Sequence, residues 1–127
     1  MTVVGELSSK SILVVEDEYI IAIDIATYFS DRGARVVGPV GTIEEAIGAI
    51  NGERLDAAVL DLNLHGEMAF DVADALIGRG IPFVFATGYD RDVIPGRFAS
   101  VKRCEKPTTP EAIAMALFAS SSPVSDR

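Results

Sequence analysis

Four apolar runs in this chain each end at a polar residue able to handle a phosphoryl group. LVVED closes on Glu16 and Asp17, AAVLD on Asp61, FVFAT on Thr87, and VKRCEK on Lys106. Ligands of an open parallel sheet bind beyond the carboxyl ends of its strands, so residues at those ends converge on one site. Glu16, Asp17 and Asp61 would then stand side by side as three carboxylates. Two unit charges about 4 Å apart repel by roughly 4 kcal/mol at an effective dielectric of about 20, so such a cluster requires a cation. Magnesium matches that need, because it prefers oxygen, keeps several waters, and commonly joins one or two carboxylates to phosphoryl oxygens. Lys106 supplies a further positive charge. Thr87 adds a hydroxyl donor, and Gly88 lets backbone approach closely. Asp61 is the candidate nucleophile, since phosphoryl transfer depends on alignment and charge neutralisation more than on intrinsic basicity. Each residue also has a plain structural reading. Asp17 can cap a helix, Asp61-Leu62-Asn63 and Thr87-Gly88 can be turns, and Lys106-Pro107 can precede a helix start. Random turns would not set an acidic pair, an acid, a hydroxyl and a lysine at the ends of the first, third, fourth and fifth predicted strands.

The elements that must position these groups follow from hydrophobic periodicity. Strand-like runs at Ile12 to Val15, Ala34 to Val37, Ala57 to Leu60, Phe83 to Ala86 and Val101 to Cys104 alternate with helical segments, which specifies an α/β parallel sheet. Glu18 to Asp31 is apolar on most sides, with Ile21, Ile25 and Phe29 as one stripe and Gly33 as C-cap, and is expected to be the most buried helix. Thr42 and Glu45 form a capping-box pattern ahead of Ile43, Ala46, Ile47 and Ile50. Ala69, Val72, Ala73, Leu76 and Ile77 make a core-facing stripe that ends at Gly78 and Gly80. The last helix is expected to begin near Thr108 or Thr109, with Pro110 in its first turn and Ile113, Ala116 and Leu117 inward. Tyr89 to Ser100 is the weakest element, because Pro95-Gly96 interrupts any helix there; a short or mobile helix is expected.

Composition narrows the class. A chain of 127 residues with 49% hydrophobic content suffices for one core, read as a single domain over 1–127 with its core at about 11–118 and tails at 1–10 and 119–127. Eleven basic against nineteen acidic residues give a net charge of −8, which repels nucleic-acid phosphates, so no direct nucleic-acid partner is expected. The lone Cys104 cannot form an internal disulfide and reads as a small core thiol. No apolar stretch approaches the roughly 18 residues of a membrane span, and the start lacks signal-peptide order. A cytoplasmic protein without membrane insertion is expected.

From about Ser11 to Leu117, the placement of Glu16, Asp17, Asp61, Thr87 and Lys106 resembles the receiver domains of two-component response regulators. The resemblance implies a doubly wound, flavodoxin-like sheet of five parallel strands in the order 2-1-3-4-5, with helices on both faces. It implies phosphoryl transfer from a sensor histidine kinase, or a phosphotransfer protein, to Asp61. Magnesium would be bound by Asp17, Asp61 and the backbone carbonyl of Asn63, with Glu16 acting through a water. Thr87 and Lys106 would contact the phosphoryl oxygens. The stretch Phe85-Ala86-Thr87-Gly88-Tyr89 looks like the FATGUY branch, often stand-alone receivers paired with HWE-type or related kinases. Tyr89 then lies where water access to the acyl phosphate is influenced. Because the Pro95-Gly96 break leaves the Tyr89 to Ser100 segment few helical turns, phosphorylation of Asp61, drawing in Thr87 and Lys106, is expected to reorder it. Two departures stand out. Arg103 replaces the aromatic residue usual three positions before the lysine, and Asn63-Leu64-His65-Gly66 replaces the usual proline-containing turn. His65 reads as a loop histidine, not a ligand or phosphate carrier.

The resulting expectation is a phosphoacceptor module that catalyses only its own phosphorylation and hydrolysis and signals through protein partners, a downstream effector among them. A haloacid dehalogenase-type phosphatase would need a second aspartate where Asn63 stands. A degenerate receiver-like binding module would work without phosphorylation, an alternative prompted by Arg103.

Overall fold

Residue order in the first strand sets the architecture. In the computed structural model, which describes residues 7–88 and 93–118, β1 (Ser11–Val15) has Ile12 through Val15 wholly buried. A strand apolar at every position must be covered on both faces, as in a parallel sheet flanked by helices. The chain continues through α1 (Tyr19–Asp31), β2 (Arg35–Val40), α2 (Ile43–Gly52), β3 (Ala57–Leu60), a small hairpin of β4 (Asn63–Leu64) and β5 (Glu67–Met68), and α3 (Phe70–Gly78). After β6 (Phe83–Thr87) come a 3-10 turn (Gly96–Phe98), β7 (Lys102–Glu105) and α4 (Pro110–Phe118). The main sheet runs β2-β1-β3-β6-β7 with every pair parallel. Counting only its own strands, that order is the expected 2-1-3-4-5.

Alternation along the strands divides the core into two layers. Leu13, Val15, Ala58, Leu60 and Phe85 pack with Ala46 and Ile50 of α2 and Val72, Ala73 and Leu76 of α3. Ile12, Val14, Val59, Val84 and Ala86 pack with Ile25 and Phe29 of α1 and Ile113 and Ala114 of α4. Helix ends follow the residue chemistry. Arg32 closes α1 and Gly33 takes φ +91° beyond it, the left-handed conformation that glycine adopts without a Cβ penalty. The Thr109 hydroxyl accepts from Ala112 N–H at 3.1 Å where α4 begins. The Thr42 hydroxyl accepts from Glu45 N–H at 3.1 Å, and the Glu45 carboxylate reaches back to Gly41 N–H at 3.2 Å. Replacing Thr42 by Ala is expected to cost about 1 kcal/mol in urea unfolding, the usual value of a lost N-cap.

Several expectations need correction. Helix α1 is not the most buried: Tyr19 and Ile20 are 77% and 75% exposed, and only Ala22, Ile25 and Phe29 are buried, because a helix lying on a sheet hides one stripe whatever its other faces carry. Ile77 turns outward at 49% exposure, and Cys104 is half-buried on its strand. Strand β2 extends to Val40, beyond the expected end at Val37, through a bulge at Gly38-Pro39 that sets Leu13 opposite Val37 but Val15 opposite Val40. Proline is tolerated because β2 is an edge strand. Gly38 is required there, since its φ is +93° and a Cβ would meet Val40 N at 2.7 Å. Of the weak segment, residues 89–92 lie outside the described residues. Over Gly96–Phe98 a single 3-10 turn forms, with Phe98 buried between Phe70, 5.8 Å away and stacked, and Phe85, 5.8 Å away and edge-on.

Candidate functional site

Glu16, Asp61 and Lys106 each lie one step past a strand end yet still share in the interstrand hydrogen bonding. Glu16 N–H donates to Val40 O at 2.9 Å, Asp61 N–H to Val15 O at 2.9 Å, and Lys106 N–H to Thr87 O at 2.7 Å. The sheet therefore fixes their backbones before any side chain is considered. Ligand atoms of Glu16, Asp17 and Asp61 all lie within 4.8 Å of one another. The Lys106 ammonium donates to Glu16 Oε1 at 2.8 Å and to Asp61 Oδ2 at 3.1 Å. Asp17, Asp61 and Lys106 open onto a pocket of about 320 Å³ lined also by Glu18, Asn63 and Gly88.

Burial governs the electrostatics. Glu16 is only 3% exposed, and desolvation pushes its carboxyl up from 4.5 to about 7; the Lys106 hydrogen bond opposes that rise and neighbouring Asp61 adds to it. Burial would lower the Lys106 ammonium, but its hydrogen bond to Glu16 and the charges of Asp61 and Glu16 outweigh this and raise it. Among the described residues the ammonium lies within reach of three carboxylates, those of Glu16, Asp61 and, at 3.7 Å, Glu18. Both oxygens of Glu16 are engaged, Oε1 by Lys106 and Oε2 by Glu18 N–H at 3.1 Å, which suits a residue acting on a cation at one remove.

Thr87 ends β6 wholly buried, and Gly88 is the residue from that strand end on the pocket wall. Arg103 sits on β7 opposite Phe85, with its side chain 18% exposed and Nη1 3.7 Å from Glu105 Oε2. Tyr89 lies outside the described residues. The group that sequence reasoning undervalued is His65. With Gly66 it makes the β4–β5 turn at φ +53° and +87°, and its backbone N–H donates to Asp17 Oδ2 at 2.8 Å. Two adjacent residues with positive φ form the type I′ turn that joins two-residue hairpins, for which His-Gly is a weaker cue than Asn-Gly.

A doubly wound sheet in this order, with an acidic pocket at its strand ends, defines the receiver class of α/β domains. The chain is 40% identical to SdrG from Sphingomonas melonis Fr1, covering 84% of this chain and 92% of that one with a TM-score of 0.73. The structure of SdrG in a BeF3-activated conformation matches at 38% identity and TM-score 0.66, over 84% and 89% of the two chains. A response regulator receiver protein from Sinorhizobium medicae WSM419 is 25% identical, over 85% and 90% of the two chains, with a TM-score of 0.71. The transcriptional regulatory protein PdtaR of Mycobacterium tuberculosis is 26% identical over 87 residues, 67% of this chain. The chain spans 42% of the length of that curated relative. No family model matches. The chain belongs to the receiver-domain family of response regulators.

Proposed function

We propose that this receiver accepts a phosphoryl group on Asp61 from a phosphorylated histidine of a sensor kinase, of the HWE type or related, or of a phosphotransfer protein. The observation that carries this reading is the Lys106 ammonium shared between Glu16 and Asp61 beside a pocket that Asp17 also lines. An Asp61 oxygen attacks phosphorus, a P–O bond forms, and the P–N bond breaks with its electron pair leaving on the imidazole. Lys106 starts on Asp61 Oδ2 and transfers its hydrogen bond to a phosphoryl oxygen as charge moves there. Thr87 donates its hydroxyl to another oxygen once its buried side chain turns toward the pocket.

The donor set suits magnesium: oxygen ligands, an excess of negative charge, and a carboxyl already pushed up to about 7 beside Asp61. Asp17, Asp61 and the Asn63 carbonyl would hold the ion and Glu16 would reach it through a water; when bound, it supplies charge neutralisation on the group in transit. SdrG has a BeF3-activated conformation, and that likeness supports a phosphoryl-responsive site in this chain. The domain catalyses only its own phosphorylation and hydrolysis, acts in the cytoplasm, and passes its signal to a protein effector. Among the described residues no helix is long and apolar enough to cross a membrane. The FATGUY-like stretch at Phe85 to Tyr89 supports the stand-alone branch of the family.

Incubation with acetyl phosphate and magnesium tests the reading. The expected result is the mass of one phosphoryl group, mapped by peptide mass spectrometry to Asp61 and removed by hydroxylamine. A chain that gains no mass from acetyl phosphate or from a panel of phosphorylated histidine kinases is no phosphoacceptor.

A further inference from the structure

Each carboxylate of the Glu16, Asp17 and Asp61 cluster already spends one oxygen on a backbone N–H. Glu16 Oε2 accepts from Glu18 at 3.1 Å, Asp61 Oδ1 from Asn63 at 3.1 Å, and Asp17 Oδ2 from His65 at 2.8 Å. The first two donors stand two residues after their acceptors and come with the strand-end turns themselves. The third comes from 48 residues away, delivered by the hairpin. The Asn63 side chain holds that hairpin closed, its Oδ1 accepting from Gly66 N–H at 2.8 Å. The His65 ring adds a second contact to the same oxygen, Nδ1 lying 3.7 Å from Asp17 Oδ2.

Asp17 held this way offers an ion a single oxygen. Magnesium takes oxygen ligands in near-ideal octahedral geometry, whereas calcium accommodates six to eight oxygens and commonly uses both of a carboxylate. We infer that the His65-Gly66 turn is the specificity-determining element of the cation site, biasing it toward magnesium over calcium by restricting Asp17 to one available oxygen. The inference rests on the phosphoacceptor reading above and extends it. It makes the backbone N–H, not the imidazole, the working group, so the turn's conformation carries the effect.

Two substitutions separate these contributions. A Cβ at Gly66 meets nothing within 4 Å, so Gly66→Val acts only through its φ of +87°, which a β-branched residue does not tolerate. His65→Gly removes the ring, keeps the N–H and relieves the positive φ. Dissociation constants for magnesium and calcium are measured by calorimetry on the full chain, with circular dichroism checking the fold. The wild type is expected to bind magnesium about tenfold or more tighter than calcium, Gly66→Val to narrow that ratio by about fivefold or more, and His65→Gly to preserve it. Should Gly66→Val unfold, Gly66→Ala makes the same comparison under less strain. An unchanged ratio in the Gly66 variants, or a ratio lost equally in His65→Gly, overturns the inference while leaving the phosphoacceptor reading intact. Binding of neither ion by the wild type overturns both.

Discussion

Asp61→Asn is expected to take no phosphoryl group from any donor and yet to melt at a higher temperature than the wild type in metal-free buffer near about pH 8. Loss of labelling follows from removing the nucleophilic carboxylate, and a reduction of at least about a thousandfold is the scale for such groups. The gain in stability follows from the charge count. Among the described residues Lys106 is the one cation facing Glu16 and Asp61, at 2.8 and 3.1 Å, and Asp61 helps to push the Glu16 carboxyl upward. An asparagine keeps one oxygen to accept from Lys106, gives up the bond from the Asn63 N–H, and leaves the ammonium to neutralise Glu16. The gain is roughly 1 kcal/mol, the scale of one relieved like-charge contact at partial burial. Peptide mass spectrometry and thermal melts measure the two effects. A variant that melts below the wild type would show that Asp61 is not under electrostatic crowding.

The second large effect is a pH dependence carried by Glu16. Its carboxyl lies at about 7 in the folded chain against an ordinary 4.5, so between those values the folded state binds more protons than the unfolded one. A group raised in this way contributes stability that is complete below its unfolded value and is lost as pH climbs through its folded value. Without divalent cation the fold is therefore expected to weaken by about 3 kcal/mol between about pH 4.5 and about pH 8 on account of this one residue. Glu16→Gln should remove that slope and make the metal-free protein the more stable of the two at the alkaline end. Urea unfolding across the range measures it. Parallel slopes for the two proteins would place the titration elsewhere.

How much of this was legible in the sequence depended on whether a feature is local. The apolar runs announced the main-sheet strands, most clearly the three inner ones, because a strand buried on both faces has little freedom of composition. Thr42 with Glu45, Gly33 and Pro110 announced helix ends through chemistry confined to one turn. What escaped notice depends on partners distant along the chain. The bulge at Gly38-Pro39 is defined by pairing with β1, and outward-facing Ile20 and Ile77 depend on which stripe meets the sheet. The N–H that His65 gives to Asp17 spans 48 residues and passes through a turn without the usual Asn-Gly cue. The acid–lysine cluster was found despite being non-local because strand ends in a parallel sheet converge by topology, so strand order alone predicts the meeting.

Since Glu16, Asp61 and Lys106 are all fastened by main-chain bonds to the strand beside their own, the sheet doubles as a measuring frame for the reaction. Loosening the outer strand β7 would release the ammonium and leave the acids behind, turning a transfer site into a bare cation trap. Partial opening from that edge and loss of phosphoryl chemistry are thus one event, and the domain cannot fray there while remaining competent to receive a signal.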